Sequence, residues 1–269
     1  MAASPFLPPL ECLSRVRVVL HSPRHPGNIG AAARAMKTMG LSRLCLVTPE
    51  RFPDDEAWRR ASGARDLVAD ATLHPDLDAA LVGCVASVAV AARPREHGPV
   101  SMPPRALMPR LLELAAQGDV ALVFGNETNG LSRVDVNRCD FLARIPTDAA
   151  YGSLNLGAAV QVLSYELRMA ALAAASLDGP RPEDALDSPL AAHEQVVQLL
   201  DHAARALVTL GFLVPGRPSR LPERVARLAR KARLEQEEIN ILRGVLAAAE
   251  AAARTAVDAP PIVDQKDRD

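Results

Sequence analysis

The sequence predicts an α/β protein with an open parallel sheet, followed by a small all-α domain. Short apolar runs typical of buried strands alternate with helical segments over the first two thirds of the chain. Loops rich in Gly, Asn and Ser follow several of these runs directly, and ligands of open α/β sheets bind at such carboxyl-terminal strand ends. From residue 190 onward, apolar residues recur at helical spacing only.

Composition indicates a soluble globular protein with an aliphatic core. Of the 269 residues, 49% are hydrophobic and only 3% are aromatic, so a nucleic acid cannot be held mainly by aromatic stacking. Because the formal net charge is −1, a nucleic-acid site would have to be a local basic patch. No uncharged apolar run reaches the roughly 18 residues of a membrane span, and the amino terminus lacks the regions of a signal peptide. We expect a cytoplasmic protein that does not bind membranes.

The sequence predicts no metal site. The four cysteines are scattered without a C-x-x-C pair, which favours buried, reduced thiols. His21 and His25 are separated by Pro23, which breaks any helical register, and no third ligand accompanies them. Surface or RNA contact is the favoured role for these two histidines.

The first elements form a βαβ unit, which implies a parallel sheet. An apolar run over residues 16–20 predicts a buried strand, and the loop over residues 21–30 contains two prolines and two glycines. A helix over residues 31–39 is expected to end at Gly40, and the second strand covers residues 44–48.

The same alternation continues to about residue 175. Asp76 is expected to cap a helix that ends at residue 81, and residues 62–65 and 94–104 are expected to be loops. The remaining strands are predicted over residues 85–91, 120–124 and 141–145, and the remaining helices over residues 56–61, 105–116 and 155–168.

A second domain follows a linker. The linker contains three prolines, a glycine and four carboxylates among few large apolar residues. Helical spacing then continues to Gly211, and two further helices are predicted over residues 222–233 and 237–253. The predicted organisation is a lead over residues 1–14, an α/β domain over 15–175, the linker over 176–189, a helical domain over 190–257 and a disordered tail over 258–269.

Two glycine-rich loops fail the tests for nucleotide binding. Gly27-Asn28-Ile29-Gly30 lacks the G-x-G-x-x-G spacing of a dinucleotide site. The segment from Gly125 to Gly130 has the four-residue gap of a phosphate-binding loop, but Leu131 stands where the lysine is required. Taken singly, each glycine is best explained as a turn residue.

Taken together, these loops carry a more specific signal. Three ordered motifs lie between about residues 15 and 169: Asn28-Ile29-Gly30 followed by Arg34, Phe124-Gly125-Asn126-Glu127-Thr128-Asn129-Gly130-Leu131, and Ile145-Pro146 followed by Ser153-Leu154-Asn155-Leu156 and Tyr165-Glu166. This set resembles the SpoU/TrmH family of the SPOUT superfamily, which are RNA ribose 2′-O-methyltransferases. Residues 33–41 and 240–246 are similar to a bacterial subgroup that methylates nucleotide 32 of the tRNA anticodon loop.

The resemblance implies a trefoil knot and a bound S-adenosylmethionine, which leaves as S-adenosylhomocysteine. The knot would comprise the loop after Phe124 and the segment from Ile145 into the helix near Asn155, and homodimers would form through it. The family binds its cofactor in the knot largely through main-chain groups. The matching positions are Ala91, Ala92, Gly125, Ile145, Ser153, Leu154 and Asn155. Relatives carry hydroxyl residues before the Ala92-Arg93 pair, where this chain has Val90-Ala91.

The resemblance also implies catalytic roles for Arg34, Asn28 and Glu127. The family's proposal is that this arginine removes the 2′-hydroxyl proton, but a guanidinium stays protonated at accessible pH. We therefore expect Arg34 to grip the adjacent phosphate and to stabilise the developing alkoxide. Asn28 would fix the loop, touch the ribose or cap the helix. Glu127 would orient Arg34 or Asn28, within the chain or across a dimer, or else bind amides of a turn.

The helical domain carries the predicted tRNA contacts. Between residues 217 and 233 there are seven basic residues and one acidic residue, an excess that favours phosphate contact over a merely solvated face. The residues predicted to bind RNA are Arg24 in the first loop and, at helical spacing, Arg220, Arg224, Arg227 and Lys231. Two rival functions remain open: a ribosomal-RNA methyltransferase of the same fold, and a catalytically inactive RNA-binding protein.

Overall fold

The computed structural model describes residues 8–92, 98–175, 188–217 and 219–258. Its larger part is a parallel sheet flanked by helices, as the sequence predicts, and its smaller part is a group of helices near the carboxyl terminus. Nearly all of the predicted linker, and the predicted tail after residue 258, lie outside the described residues.

Seven strands form one sheet in the described part of the chain. They are β1 (Val16–His21), β2 (Arg43–Val47), β3 (Thr72–His74), β4 (Cys84–Val90), β5 (Val100–Met102), β6 (Asp119–Phe124) and β7 (Phe141–Ala143), in the order β3-β2-β1-β6-β4-β7-β5. Every neighbouring pair runs parallel. The carboxyl ends of four strands align across the sheet, because Leu20 pairs with Phe124, Phe124 with Val90, and Val90 with Ala143.

The helices flank this sheet and continue beyond it. They are α1 (Pro26–Thr38), α2 (Asp55–Ala61), α3 (Arg65–Ala69), α4 (Leu77–Leu81), α5 (Pro104–Ala115), α6 (Arg133–Arg138), α7 (Leu156–Ala175), α8 (His193–Thr209), α9 (Leu221–Ala232) and α10 (Gln236–Asp258). The Asp76 side chain accepts a hydrogen bond from the Ala79 amide at 2.7 Å, which confirms the predicted cap of α4. None of the described helices is long and apolar enough to cross a membrane.

Both faces of the sheet are buried. Val18 and Leu20 contribute to one apolar cluster, and Val19, between them in the sequence, contributes to the other. This alternation follows from the two-residue repeat of a strand. It explains why the strands are continuous apolar runs, as expected for a parallel sheet covered on both sides.

The start of α1 differs from the prediction. The segment from Gly27 to Gly30 is the first part of the helix and not a loop, because Pro26 occupies its first turn, where proline is favoured. Gly30 serves helix packing: a Cβ atom there would lie 2.2 Å from the carbonyl oxygen of Ala57 in α2. Gly40 ends the helical segment as predicted, with a φ of +82° that glycine adopts without strain.

Two short strands were not predicted. β3 and β5 contain three residues each and lie at the two edges of the sheet. They are exposed or partly exposed along their whole length, so they lack the apolar run that marks an interior strand. The predicted loop over residues 94–104 is therefore wrong where β5 lies, and residues 93–97 lie outside the described part. The predicted loop over residues 62–65 is a short 3-10 helix leading into α3.

The carboxyl-terminal helices pack against the α/β part through polar contacts. His193 in α8 lies 3.2 Å from Asp78 in α4. Arg230 in α9 lies 3.4 Å from Asp140, just before β7. Such interfaces are more polar than a domain core. The chain path required for a knot stays a prediction.

Candidate active site

The predicted site residues lie at the carboxyl edge of the sheet. α1 follows β1, Glu127 lies three residues after β6, and Asn155 immediately precedes α7. Because parallel strands end at the same edge, residues far apart in the sequence meet there.

Asn28, Glu127 and Asn155 form one hydrogen-bonded chain. Asn28 Nδ2 donates to Glu127 Oε1 at 2.7 Å, and Asn155 Nδ2 donates to Asn28 Oδ1 at 3.1 Å. Asn155 Oδ1 in turn accepts the amide of Gly157, in the first turn of α7, at 2.9 Å. We call these three side chains the relay. Each amide donates through nitrogen and accepts through oxygen, so the bonds fix the orientation of both.

Glu127 anchors the relay to the loop before α1. Its carboxylate also accepts the amides of Arg24, at 2.9 Å, and His25, at 3.2 Å. Burial opposes the charged form, but the bonds from Asn28 and from these amides outweigh it and hold the pKa of Glu127 below its ordinary value. Glu127 thus binds Asn28 within its own chain, and the amides that it accepts belong to the loop before α1 and not to a turn of its own loop. It makes no bond to Arg34 within the described residues. Its catalytic role stays a prediction.

Arg34 lies on α1 beside the relay, with an exposed side chain. One turn earlier, Ala31 packs so closely on Gly157 that a Cβ atom on that glycine would lie 2.8 Å from the Ala31 Cβ. One turn later, Thr38 approaches Gln161 of α7 at 3.5 Å. Arg34 therefore lies along the side of α1 that meets α7. Within the described residues, its guanidinium has no hydrogen bond or ion pair, so its charge is available to a ligand.

Asn28 does not cap α1. It lies inside the helix, whose cap position is His25. The relay gives it a different role, because its amide joins the loop after β6 to the start of α7. Gly157 was not among the predicted site residues, although its position two residues after Asn155, at a helix start, is the local pattern that such a side-chain-to-amide bond requires.

The positions predicted for S-adenosylmethionine surround the ends of β4, β6 and β7. Strand order places Ala91, after β4, between Gly125, after β6, and Ile145, after β7. Ala92 is exposed, and so are Ser153, Leu154 and Asn155 just before α7.

Free main-chain groups at this edge fit a ligand that is held by the backbone. Those of Ile145, Ser153 and Leu154 have no hydrogen bond to another described residue and are available as donors and acceptors. The amide of Ala91 is already bonded to the Ala143 carbonyl at 3.1 Å, so only its carbonyl remains for a ligand.

The residues predicted to bind RNA lie on two surfaces. Arg24 is engaged by Glu50 at 2.9 Å and by Thr128 at 3.2 Å, next to the relay. On α9, Arg224, Arg227 and Lys231 are exposed and have no ion pair with another described residue. The fourth, Arg220, occupies the cap position of that helix.

The cysteines are buried and unlinked, as predicted. Burial raises the pKa of the Cys84 thiol and that of Cys139 to about 12, so both stay protonated at neutral pH. Within the described ranges, no three His, Cys, Asp or Glu side chains are grouped as a metal site would require.

Comparison with known proteins is consistent along the chain. The SpoU rRNA Methylase family matches residues 15–165, and the family described as tRNA methyltransferase TrmJ, C-terminal domain, matches residues 194–258. A tRNA (cytidine/uridine/adenosine-2′-O-)-methyltransferase TrmJ of Pseudomonas aeruginosa is 44% identical over 90% of this chain and 96% of its own length. A tRNA (cytidine/uridine-2′-O-)-methyltransferase TrmJ of Cronobacter sakazakii is 38% identical over 88% and 97%.

Solved structures agree with these sequence relatives. TrmJ from Z. mobilis ZM4 superposes with a TM-score of 0.74 at 29% identity, covering 87% of this chain and 98% of that one. A putative methylase family protein from Neisseria gonorrhoeae superposes with a TM-score of 0.63 at 39% identity, covering 74% and 98%. The resemblance to the Z. mobilis structure therefore includes both the sheet and the appended helices.

Proposed function

This chain belongs to the SpoU rRNA methylase family, among its TrmJ-type members, and from that membership we propose that it methylates the 2′-hydroxyl of nucleotide 32 in the anticodon loop of tRNA. S-adenosylmethionine is the methyl donor in this proposal. Cytidine and uridine are the proposed targets, and adenosine is a further candidate because the name of the Pseudomonas aeruginosa relative includes it. The proposed place of action is the cytoplasm.

The carboxyl-terminal helices favour tRNA over ribosomal RNA. The match over residues 194–258 is to a domain of tRNA methyltransferases, and the full-length relatives are tRNA enzymes. We propose that these helices form a tRNA-binding domain over residues 190–257, after an α/β domain over residues 15–175. Arg224 and Arg227 of α9, which are exposed and have no ion pair with another described residue, support this assignment.

One observation carries the proposal most strongly. The three ordered motifs meet in the hydrogen-bonded relay, where Asn28 of the first motif bonds to residues 99 and 127 positions later in the second and third. Beside the relay, Arg34 presents a cation that no described residue neutralises. An inactive RNA-binding protein would not require this arrangement of a fixed polar network and a free cation.

The geometry suggests how the chain's residues divide the work. When bound, S-adenosylmethionine supplies an electrophilic methyl group on a sulfonium sulfur. The free main-chain groups of Ile145, Ser153 and Leu154 would hold it. Arg34 would bind the phosphate beside the target ribose and stabilise negative charge as it develops on the 2′-oxygen. The relay would fix the start of α7 relative to the start of α1, so that the 2′-oxygen is held in line with the methyl group.

Neither Arg34 nor Glu127 is suited to accept the 2′-hydroxyl proton. A guanidinium remains protonated, and the Glu127 carboxylate already accepts three hydrogen bonds and has a lowered pKa. The proton would therefore pass to solvent as the new bond to oxygen forms. Since attack on a sulfonium neutralises charge, positioning is the main requirement for this reaction.

We also propose a homodimer formed through a knot that includes α7. In support, Tyr165, Met169 and Leu172 form an apolar row on α7 at i, i+4 and i+7, with exposures of 45%, 42% and 38%. Glu166, on the same helix, is instead bound by Arg105 at 2.9 Å.

Methyl transfer to purified RNA tests the proposed function. The protein would be incubated with labelled S-adenosylmethionine and either unmodified tRNA transcripts or unmodified ribosomal RNA, and ribose methylation would be mapped by nucleotide. We expect one methylated ribose, at nucleotide 32. Label in ribosomal RNA alone would favour the rival enzyme, and cofactor-independent RNA binding without any label would favour the inactive protein.

A further inference from the structure

A cavity of about 200 Å³ lies between α9 and the edge of the sheet that carries β5 and β7. It is formed by residues of both domains and is separate from the relay. Pockets for larger organic ligands usually exceed about 300 Å³, so this one suits a small group. Among the described residues that line it, the basic side chains are Arg110, Arg227, Arg230, Lys231 and Arg233.

Arg230 is the most deeply buried of these side chains. It is 9% exposed, and its Nε atom has no hydrogen-bond partner in the described part of the chain. Its contact with Asp140 is long, at 3.4 Å, and the other oxygen of Asp140 already accepts the amide and hydroxyl of Ser87 at 2.8 Å each. A buried charge is costly unless it is paired and hydrogen-bonded. Asp140 alone therefore leaves part of the hydrogen-bonding capacity of this buried guanidinium unused, namely the Nε group.

Arg110 and Arg233 bring two more positive charges to the same place. Their guanidinium carbons lie 5.3 Å and 6.0 Å from the centre of the Phe141 ring. Burial lowers the pKa of Arg233 to about 10, although Asp140 opposes the change, and Arg110 lowers it further. Arg233 is still a cation at neutral pH, and an anion between the two arginines would relieve their repulsion.

The acidic side chains of the cavity are already engaged. Asp140 is bound as described above, and Glu223 pairs with Arg133 at 2.8 Å. The described lining thus has five basic side chains against two acidic ones, and a guanidinium cluster of this kind matches the oxygens of a phosphate.

We infer that this cavity binds one phosphate group of the tRNA backbone, an inference that rests on the proposed function and locates part of the substrate. Arg227 and Lys231 are exposed at the cavity and continue along α9 toward Arg224. This continuity favours a polymer backbone over a free phosphate ion. A phosphate bound here would contact both domains at once. Arg110 belongs to α5, whereas the other basic side chains of the cavity belong to α9 or, for Arg233, directly follow it.

Tests with Arg110→Gln and Arg233→Gln would separate this site from the active site. We expect each to weaken tRNA binding about 5- to 10-fold near 0.15 M salt and to reduce the salt slope of the binding constant by about 1. Affinity for S-adenosylmethionine should not change. The matched control is Arg65→Gln, an equal loss of charge on an exposed position of α3, outside the cavity and outside the proposed tRNA-binding domain, which should leave tRNA binding as in wild type. Thermal unfolding checks that each variant folds.

The outcomes distinguish the possible failures. A wild-type protein that methylates tRNA, with cavity variants that keep its affinity and salt slope, would overturn the cavity assignment alone. Titration with inorganic phosphate provides a second arm: stabilisation of wild type but not of Arg110→Gln, with unchanged tRNA binding, would assign the cavity to free phosphate and overturn the RNA assignment. A wild-type protein without activity on tRNA would instead overturn the proposed function.

Discussion

Replacing Glu127 with glutamine should loosen the contact between two loops of the active site. The carboxylate accepts three hydrogen bonds, two on Oε1 from Asn28 and His25 and one on Oε2 from Arg24. A glutamine side chain has one acceptor and one donor group, so at least one of the three donors would face an NH2 group. Hydrogen bonds to charged groups contribute about 1.5 to 3 kcal/mol. Because Glu127 is partly exposed, we expect a loss of about 1 to 2 kcal/mol in the free energy of unfolding.

Urea unfolding followed by fluorescence measures this loss. Trp58 is the single tryptophan of the sequence and packs against the main apolar cluster. In the folded protein, the pKa of Glu127 is lowered, so its charged form stabilises the fold above the ordinary pKa of a glutamate. That contribution is lost as the pH falls through the lowered folded-state pKa. The difference in the free energy of unfolding between wild type and Glu127→Gln should thus be constant near neutral pH. It should become smaller below about pH 4.

Activity provides the second readout for Glu127→Gln. We expect turnover to fall about 10- to 100-fold because the relay would no longer fix Asn28, while S-adenosylmethionine affinity stays the same. The matched control is Glu50→Gln, since the Glu50 side chain is exposed and, among the described residues, contacts only the Arg24 side chain, at 2.9 Å. This substitution should cost less than about 0.5 kcal/mol. Wild-type stability together with wild-type turnover in Glu127→Gln would refute the reasoning about the relay.

Two further predictions concern packing and RNA contact. Gly30→Ala should destabilise the protein by about 1 to 3 kcal/mol in urea unfolding, because its Cβ would lie 2.2 Å from a backbone oxygen of α2. Gly63→Ala, with nothing within 4 Å of the added atom, is the control, and equal stability of the two variants would contradict the packing argument. Reversing the charge of Arg224 and Arg227 to glutamate should weaken tRNA binding and flatten its salt dependence by about 2, as measured by filter binding at several salt concentrations. Unchanged affinity would remove α9 from the RNA-binding surface.

The sequence predicts the interior of the fold better than its edges. β1, β4 and β6 are apolar runs because both faces of the sheet are covered, and burial leaves that direct mark on the sequence. The edge strand β5 has no such mark, because its pairing with β7 depends on a neighbour distant in the sequence. The start of α1 was misplaced for a similar reason: Gly30 resembles a turn residue until α2 is seen to lie against it.

For the candidate site, too, the sequence predicts some features and not others. The family resemblance predicts Asn28, Arg34, Glu127 and Asn155 as site residues, and the structure joins three of them, Asn28, Glu127 and Asn155, by hydrogen bonds. Their partners were not predictable, because the bond between Asn155 and Asn28 joins residues 127 positions apart and depends on how α7 meets α1. The cavity beside α9 was also invisible in the sequence, since helical spacing shows which residues share a face but not that Phe141 and Asp140 lie opposite it.

The most direct test of the central claim compares Arg34→Ala with wild type in single-turnover methylation of tRNA and in calorimetric binding of S-adenosylmethionine. If the unpaired cation beside the relay stabilises the reacting 2′-oxygen, methylation at nucleotide 32 falls by at least about 100-fold while cofactor affinity stays within about twofold. Arg34→Lys should remain well below wild type, because an ammonium lacks the planar fork with which a guanidinium binds two phosphate oxygens. Near-normal methylation by Arg34→Ala would contradict the account.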